Sequence, residues 1–198
     1  MVTTNIFAAV IFVIIILFAI TIHEFSHAAA ADLLGDPTPR LAGRLTLNPI
    51  KHIDPIGFIL LFLVRFGWAK PVPINPYNFK NPVRGEMVVS FAGPAANFLA
   101  AFVAARLIKL FYLAVLSKGY ILGIISDFIW INLALAVFNL LPVPPLDGSH
   151  ILEPFIPYEY RRIFEQYGFF ILIFILIFPP TSYLLMETIT LLFRLITR

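Results

Sequence analysis

His23, Glu24 and His27 stand in an H-E-x-x-H pattern, within His23-Glu24-Phe25-Ser26-His27. On a helix, residues four apart share a face one turn apart, so two imidazoles at this spacing can reach one ion. The carboxylate beside the first His can take a proton from a water attacking a carbonyl, and zinc lowers that water's pKa to about 7. The pattern therefore points to metal-dependent hydrolysis. Its setting is unusual. From Ile6 to Ile22 no residue is charged, and the one polar side chain is Thr21. Ionisable groups at membrane depth are costly, so function is the default reading. The bland alternative is a pair of helix histidines satisfied by neighbouring hydrogen bonds. With only four His in the chain, their chance arrangement beside a Glu is a weak explanation.

A catalytic zinc commonly keeps three protein ligands and one open position, so the motif lacks a ligand. There are no cysteines, which leaves His, Asp and Glu. Asp147 and His150 lie together in the stretch from Asn139 to His150, and His52, Asp54 and Asp127 are further candidates. The residue types alone leave this choice open. Ser26 reads as a small helix residue, since both nearby His serve better as metal ligands than as its base. His52 reads as a structural or solvated His of a polar loop.

The elements that must position these groups are membrane elements. The 198 residues are 60% hydrophobic and 13% charged, with mean hydropathy +0.92. A soluble domain is nearer half apolar and a quarter charged. The expectation is an integral membrane protein with residues 1–198 as a single transmembrane domain. The net charge is +3, and there is no Lys/Arg-rich run. No nucleic-acid partner is expected; the lipid bilayer is.

Residues 5–34 can span the bilayer and emerge beyond it, ending at Gly35-Asp36-Pro37. Ala28 to Ala31 looks like a leader cleavage site. No basic residue precedes the apolar run, however, and the run is longer than a leader's, so a span is expected. Residues 36–55 form a polar loop. Residues 56–68 are apolar but too short to span as a helix, closing at Arg65-Phe66-Gly67-Trp68. Lys70 to Pro76 forbids a helix. Residues 56–79 therefore read as a short re-entrant or β-like segment, with a sheet edge in 58–64 able to pair with an unwound peptide.

Residues 86–116 make a span with small residues every fourth position: Ala92, Ala96, Ala100 and Ala104, and beside them Gly93, Asn97, Ala101 and Ala105. Residues 120–141 make another, ending at Pro142-Val143-Pro144-Pro145. On its face Asn132 precedes Asn139 by seven residues, and interhelical hydrogen bonding is the expected role of Asn132. Residues 163–178 and 181–196 flank Pro179-Pro180, as a hairpin of short spans or one broken helix. The fold class is thus an all-α polytopic transmembrane helix bundle of about five spans.

Basic residues set the orientation. With the loops on the 36–85 and 142–162 side and the C-terminus in the cytoplasm, eleven of fourteen lie there: Arg40, Arg44, Lys51, Arg65, Lys70, Lys80, Arg84, Arg161, Arg162, Arg194 and Arg198. The N-terminus is then outside the cell membrane. Lys118 falls outside, and Arg106 and Lys109 lie near the outer end of their helix.

The chain resembles the site-2 protease family of intramembrane zinc metalloproteases. His23-Glu24-Phe25-Ser26-His27 matches its first motif, and Asn139 through Gly148 matches N-x-x-P-x-x-P-L-D-G. Gly93-Pro94-Ala95-Ala96-Asn97 matches a G-P-x-x-N element between them. Gly43 to Pro49 and Gly67 to Pro73 look like the small bacterial and archaeal members. The resemblance runs from about residue 20 to 152 and fades beyond about 160. It implies one zinc held by His23, His27 and Asp147, with Glu24 as general base. Asn139 would line the site as a hydrogen-bond donor to an oxyanion, and Asn97 would be a helix-packing residue. His150 falls where the family varies. The implied activity is regulated intramembrane proteolysis by an endopeptidase, whose partner is a transmembrane protein substrate. With no PDZ or CBS module expected, selection by such modules is not expected either. The rival reading is a membrane zinc transporter. A transporter needs further polar groups along its path, and the spans here are almost purely apolar.

Overall fold

The computed structural model describes residues 2–63, 67–110 and 119–198. The expectations at Arg65-Phe66, at residues 111–116 and at Lys118 lie outside the described residues. Among the described residues there are eight α-helices and no strand: α1 (Val2–Leu33), α2 (Thr38–Leu41), α3 (Pro55–Leu63), α4 (Pro82–Leu110), α5 (Gly119–Asn139), α6 (Asp147–Leu152), α7 (Tyr158–Ile177) and α8 (Pro179–Thr197).

The Ile- and Val-rich stretch of α1 would favour a strand in water. In lipid every backbone group must be satisfied within the segment, so it is helix. Its outward side chains, such as Ile6, Phe7, Phe12 and Phe18, are exposed, as lipid-facing residues are. α1 stops at Leu33 because Gly35, at φ +103°, turns the chain, and Asp36 N–H donates back to Ala31 O at 2.9 Å. Among the described residues, three helices are long and apolar enough to cross a membrane, in α1, α4 and α5. α7 and α8 meet at a 77° bend at Pro179 and count together as a fourth span at most. The expected all-α polytopic bundle is observed, with three or four candidate spans among the described residues.

Small residues let the helices close. The buried row of α4 is Gly93, Asn97, Ala101 and Ala105. Ala101 and Ala105 pack with Ile129 and Leu133 of α5 and with Ile189 and Ile196 of α8. Ile15 and Ala19 of α1 pack on Ile131 of α5, and Ile11, Ile124 and Phe128 extend that contact. The start of α1 therefore meets the start of α5, at the end of the bundle where α4 finishes. α8 finishes there too. Arg106 donates to Ile196 O at 2.7 Å, and Lys109 to Arg198 O at 2.9 Å. Both termini thus share one end of the bundle. The reading from basic residues expected the termini on opposite sides of the membrane; α7 and α8 meet at 77°, the geometry of one broken span or of a re-entrant loop.

The segment 56–79 also differs from expectation in its first half. Residues 55–63 are the short helix α3, not a sheet edge. Asp54 caps it, its Oδ1 accepting from Ile56 N–H at 3.0 Å and Gly57 N–H at 2.9 Å, with Pro55 in the first turn. The second half is extended as the prolines require, with one bridge between Ile53 and Ala69. Arg44 holds it in place. The buried guanidinium donates to Pro71 O at 3.0 Å and to Lys70 O, and lies 3.4 Å from His52 Nδ1. Asp36 fixes the next turn, accepting from Asn75 N–H and Asn78 Nδ2, each at 2.7 Å.

Candidate metal centre

His23 and His27 lie one turn apart near the end of α1, both buried against α4. Gly93 makes this possible: a Cβ there would stand 2.7 Å from Cε1 of each ring. His27 Nδ1 donates to Val89 O of α4 at 2.7 Å. His23 Nδ1 lies 2.7 Å from Asn97 Oδ1. The direction of that bond follows from two backbone carbonyls. Asn97 Nδ2 faces Ala19 O at 3.0 Å and Asn132 Oδ1 at 2.8 Å, while Asn132 Nδ2 faces Phe128 O at 2.9 Å. Carbonyls only accept, so both amide nitrogens donate, Asn97 Oδ1 accepts, and His23 Nδ1 carries the hydrogen.

With both Nδ1 atoms donating, each neutral ring presents a bare lone pair at Nε2. These two atoms are 3.0 Å apart. Asp147 Oδ2 joins them, 3.0 Å from His23 Nε2 and 3.4 Å from His27 Nε2. It is buried and takes no hydrogen bond. Three acceptors so close repel one another unless a cation sits among them. Ligands about 2.0–2.2 Å from a tetrahedral zinc are separated by roughly 3.3–3.5 Å, close to this triangle. The donor set fits such an ion. Among the described residues, these three are the group of His and acidic side chains able to hold a metal.

Asp147 reaches the His pair because Pro142-Val143-Pro144-Pro145 cannot continue α5. The chain turns back and α6 begins at Asp147 itself. Of the other candidates, His150 lines the same cavity as Asp147 but lies outside the triangle. Asp54 caps α3, His52 is buried and bonded to Thr46 O at 2.8 Å, and His150 is exposed beside Glu153. Ser26 back-bonds to Ile22 O at 2.7 Å, as expected of a small helix residue.

The triangle opens into a cavity of about 610 Å³. Glu24 and Asn139 both line it, as do Pro71, Val72 and Ile74 of the extended segment. Glu24 is buried next to the first His. Asn139 spends one N–H on Leu135 O at 3.0 Å and retains a second. Two features escaped the sequence reading: Gly93 as the seat of both rings, and Asn97 as the partner of His23. A polar amide one turn from a helix-contact glycine, inside a span, was the available signal for the second.

The protein of Bacillus subtilis (strain 168) named "Putative zinc metalloprotease YwhC" is 42% identical to this chain over 187 residues, 87% of this chain and 83% of that protein. The chain belongs to peptidase family M50. Residues 107–178 match the model of that family. Rip2 of Mycolicibacterium smegmatis, named likewise, is 32% identical over 185 residues, 87% of this chain and 70% of that protein. "Zinc metalloprotease MJ0392" of Methanocaldococcus jannaschii is 24% identical over 156 residues, 79% of this chain and 37% of that protein. No solved structure matches. As an M50 peptidase the chain is a membrane zinc metalloprotease, and zinc is the cofactor that its three-donor group suits. Membership in a peptidase family sets the transporter reading aside.

Proposed function

We propose that the chain is an intramembrane endopeptidase of one transmembrane domain, cutting other membrane proteins within or near a transmembrane segment in regulated intramembrane proteolysis. The observation that supports it most is the convergence of His23 Nε2, His27 Nε2 and Asp147 Oδ2, within 3.4 Å of one another, next to Glu24 near the end of a membrane-length helix. In this reading His23, His27 and Asp147 hold the zinc. When bound, zinc acidifies water and polarises the scissile carbonyl. Glu24 takes the proton of the attacking water and returns it to the leaving amine. Asn139 directs its remaining N–H at the oxygen where negative charge develops. The apolar walls of the cavity restrict bulk water, which strengthens both effects.

A helical peptide bond is shielded and already hydrogen-bonded, so the substrate must be held unwound. The extended segment from Ala69 to Ile74 borders the cavity and offers backbone groups for that purpose. Basic residues support a cytoplasmic position for the metal end of the bundle in the cell membrane. Arg40, Arg44, Lys51, Lys70, Lys80, Arg84, Arg161 and Arg162 belong to that end, and Arg106, Lys109, Arg194 and Arg198 to the other. Both termini are then outside.

The test is proteolysis of a model transmembrane substrate by the purified chain, with and without chelator. Cleavage should stop on chelation and return with zinc. Glu24→Gln should keep the metal and lose about 10²- to 10⁴-fold in rate, the usual worth of a general base. Wild-type turnover by that variant would overturn the assignment of Glu24.

A further inference from the structure

We propose that Asn132 and Asn97 together form a relay that sets the metal affinity of His23, making Asn132 a positioning residue although it touches neither the ligand triangle nor the cavity. The inference rests on the reading of His23 as a zinc ligand. Its basis is the direction of the hydrogen bonds. Phe128 O of α5 orients the Asn132 amide, whose oxygen then accepts from Asn97 Nδ2. Ala19 O of α1 takes the other hydrogen of the same Asn97 nitrogen. Both hydrogens of Asn97 are spent, so its oxygen can only accept, and His23 must place its hydrogen on Nδ1. Nε2 is left bare toward the ion. A metal-bound His depends on the acceptor behind it for tautomer, ring orientation and basicity.

The two His differ in how this is achieved. His27 leans on a backbone carbonyl, Val89 O, which no substitution removes. His23 leans on a side chain, and that side chain is held by another. Asn97 and Asn132 are both fully buried. They join α1, α4 and α5 at one point. In an apolar bundle an amide that lost its partner would seek another, so each bond in the chain constrains the next. If Asn132 is removed, Ala19 O alone orients the Asn97 amide, and a flip to the opposite orientation becomes easier. The flipped amide presents N–H to His23, favouring the tautomer with its hydrogen on Nε2, where the metal should bind.

The experiment titrates the full-length chain in detergent with Zn²⁺ against a competing chelator, and records the visible spectrum of the Co²⁺-loaded protein. Asn97→Leu should weaken zinc binding by about 10- to 100-fold, the usual range for such partners. Asn132→Leu should weaken it in the same direction by a smaller factor. The double variant should bind no more weakly than Asn97→Leu, because Asn132 acts through Asn97. The Co²⁺ bands should shift in all three, which loosened helix packing would not cause. Wild-type affinity and spectrum in Asn132→Leu would overturn the relay. So would a double variant whose losses simply add. If Asn97→Leu does not fold, affinity and spectrum of Asn132→Leu decide alone. Failure of the underlying reading has a different signature: His23→Ala would then bind zinc like the wild type.

Discussion

At the scale of single residues, the site is a problem in lone pairs. Each ring spends its one hydrogen on an acceptor in α4, and this leaves two imidazole nitrogens and a carboxylate oxygen pointing at one another. Removing a ligand should cost more than disturbing what lies behind it. Asp147→Ala is expected to weaken zinc binding beyond the roughly 100-fold typical of outer partners, while His150→Ala leaves it unchanged. A chelator competition measures both, and a loaded Asp147→Ala beside an empty His150→Ala would reverse the assignment. Gly93 gives a second residue-scale test. Its added Cβ would collide with both rings, so Gly93→Ala should reduce metal content and cost about 1–3 kcal/mol of stability. Gly123→Ala in α5, with nothing near the new Cβ, should be neutral or slightly stabilising by comparison. Thermal melting with metal analysis separates the two.

At the scale of elements, the loop after α1 carries the extended segment to the cavity, and Asp36 fastens it. Its carboxylate accepts from Thr38 N–H at 3.0 Å as well as from Asn75 and Asn78. Burial alone would raise its pKa, but the hydrogen bonds from Thr38, Asn75 and Asn78 outweigh it and hold the carboxyl below its ordinary value of 3.8. A depressed folded-state pKa contributes stability that is full above the unfolded value and lost as pH falls through the folded one. Asp36→Ala should therefore cost about 2 kcal/mol near neutral pH, with the gap to wild type closing as pH drops below about 3.8. Melting curves across that range check it, and a gap that widens toward acid would refute the assignment. The short helix α3 teaches a different lesson at this scale. Asp54-Pro55 is a helix-start signal in plain sequence, an N-cap followed by a first-turn proline. The brevity of the apolar run obscured it, although a helix too short to span is still a helix.

At the scale of the whole molecule, the course of the chain places both termini at the end of the bundle away from the metal centre. Single cysteines near residues 3 and 198, labelled with a membrane-impermeant reagent, should report the same side, and one near residue 45 the opposite side. The chain has no native cysteine to confuse the readout. Labelling of residues 3 and 198 from opposite faces would mean that the tail crosses once more, or once less, than the bent α7–α8 pair does here.

Sequence by itself determined the membrane class, the expectation of a metal-binding His pair, and where α1 and α5 end. Each is a local matter: apolar length, a four-residue spacing, a Gly35 that can turn at positive φ, prolines that cannot stay in a helix. It also carried, through the match of Asn139 to Gly148, the expectation that Asp147 completes the group. Residue types alone did not separate Asp147 from Asp54, Asp127, His52 or His150. Tertiary structure brought Asp147 to the His pair, placed both chain ends at one end of the bundle, and gave Asn97 its partners. The physical reason is common to all three. In a soluble helix an apolar stripe tells which face turns inward. In a bilayer the lipid side is as apolar as the protein side, and small residues and buried amides only hint at the contact face. Which helix meets which, and at what height, is settled by packing across elements far apart in the chain.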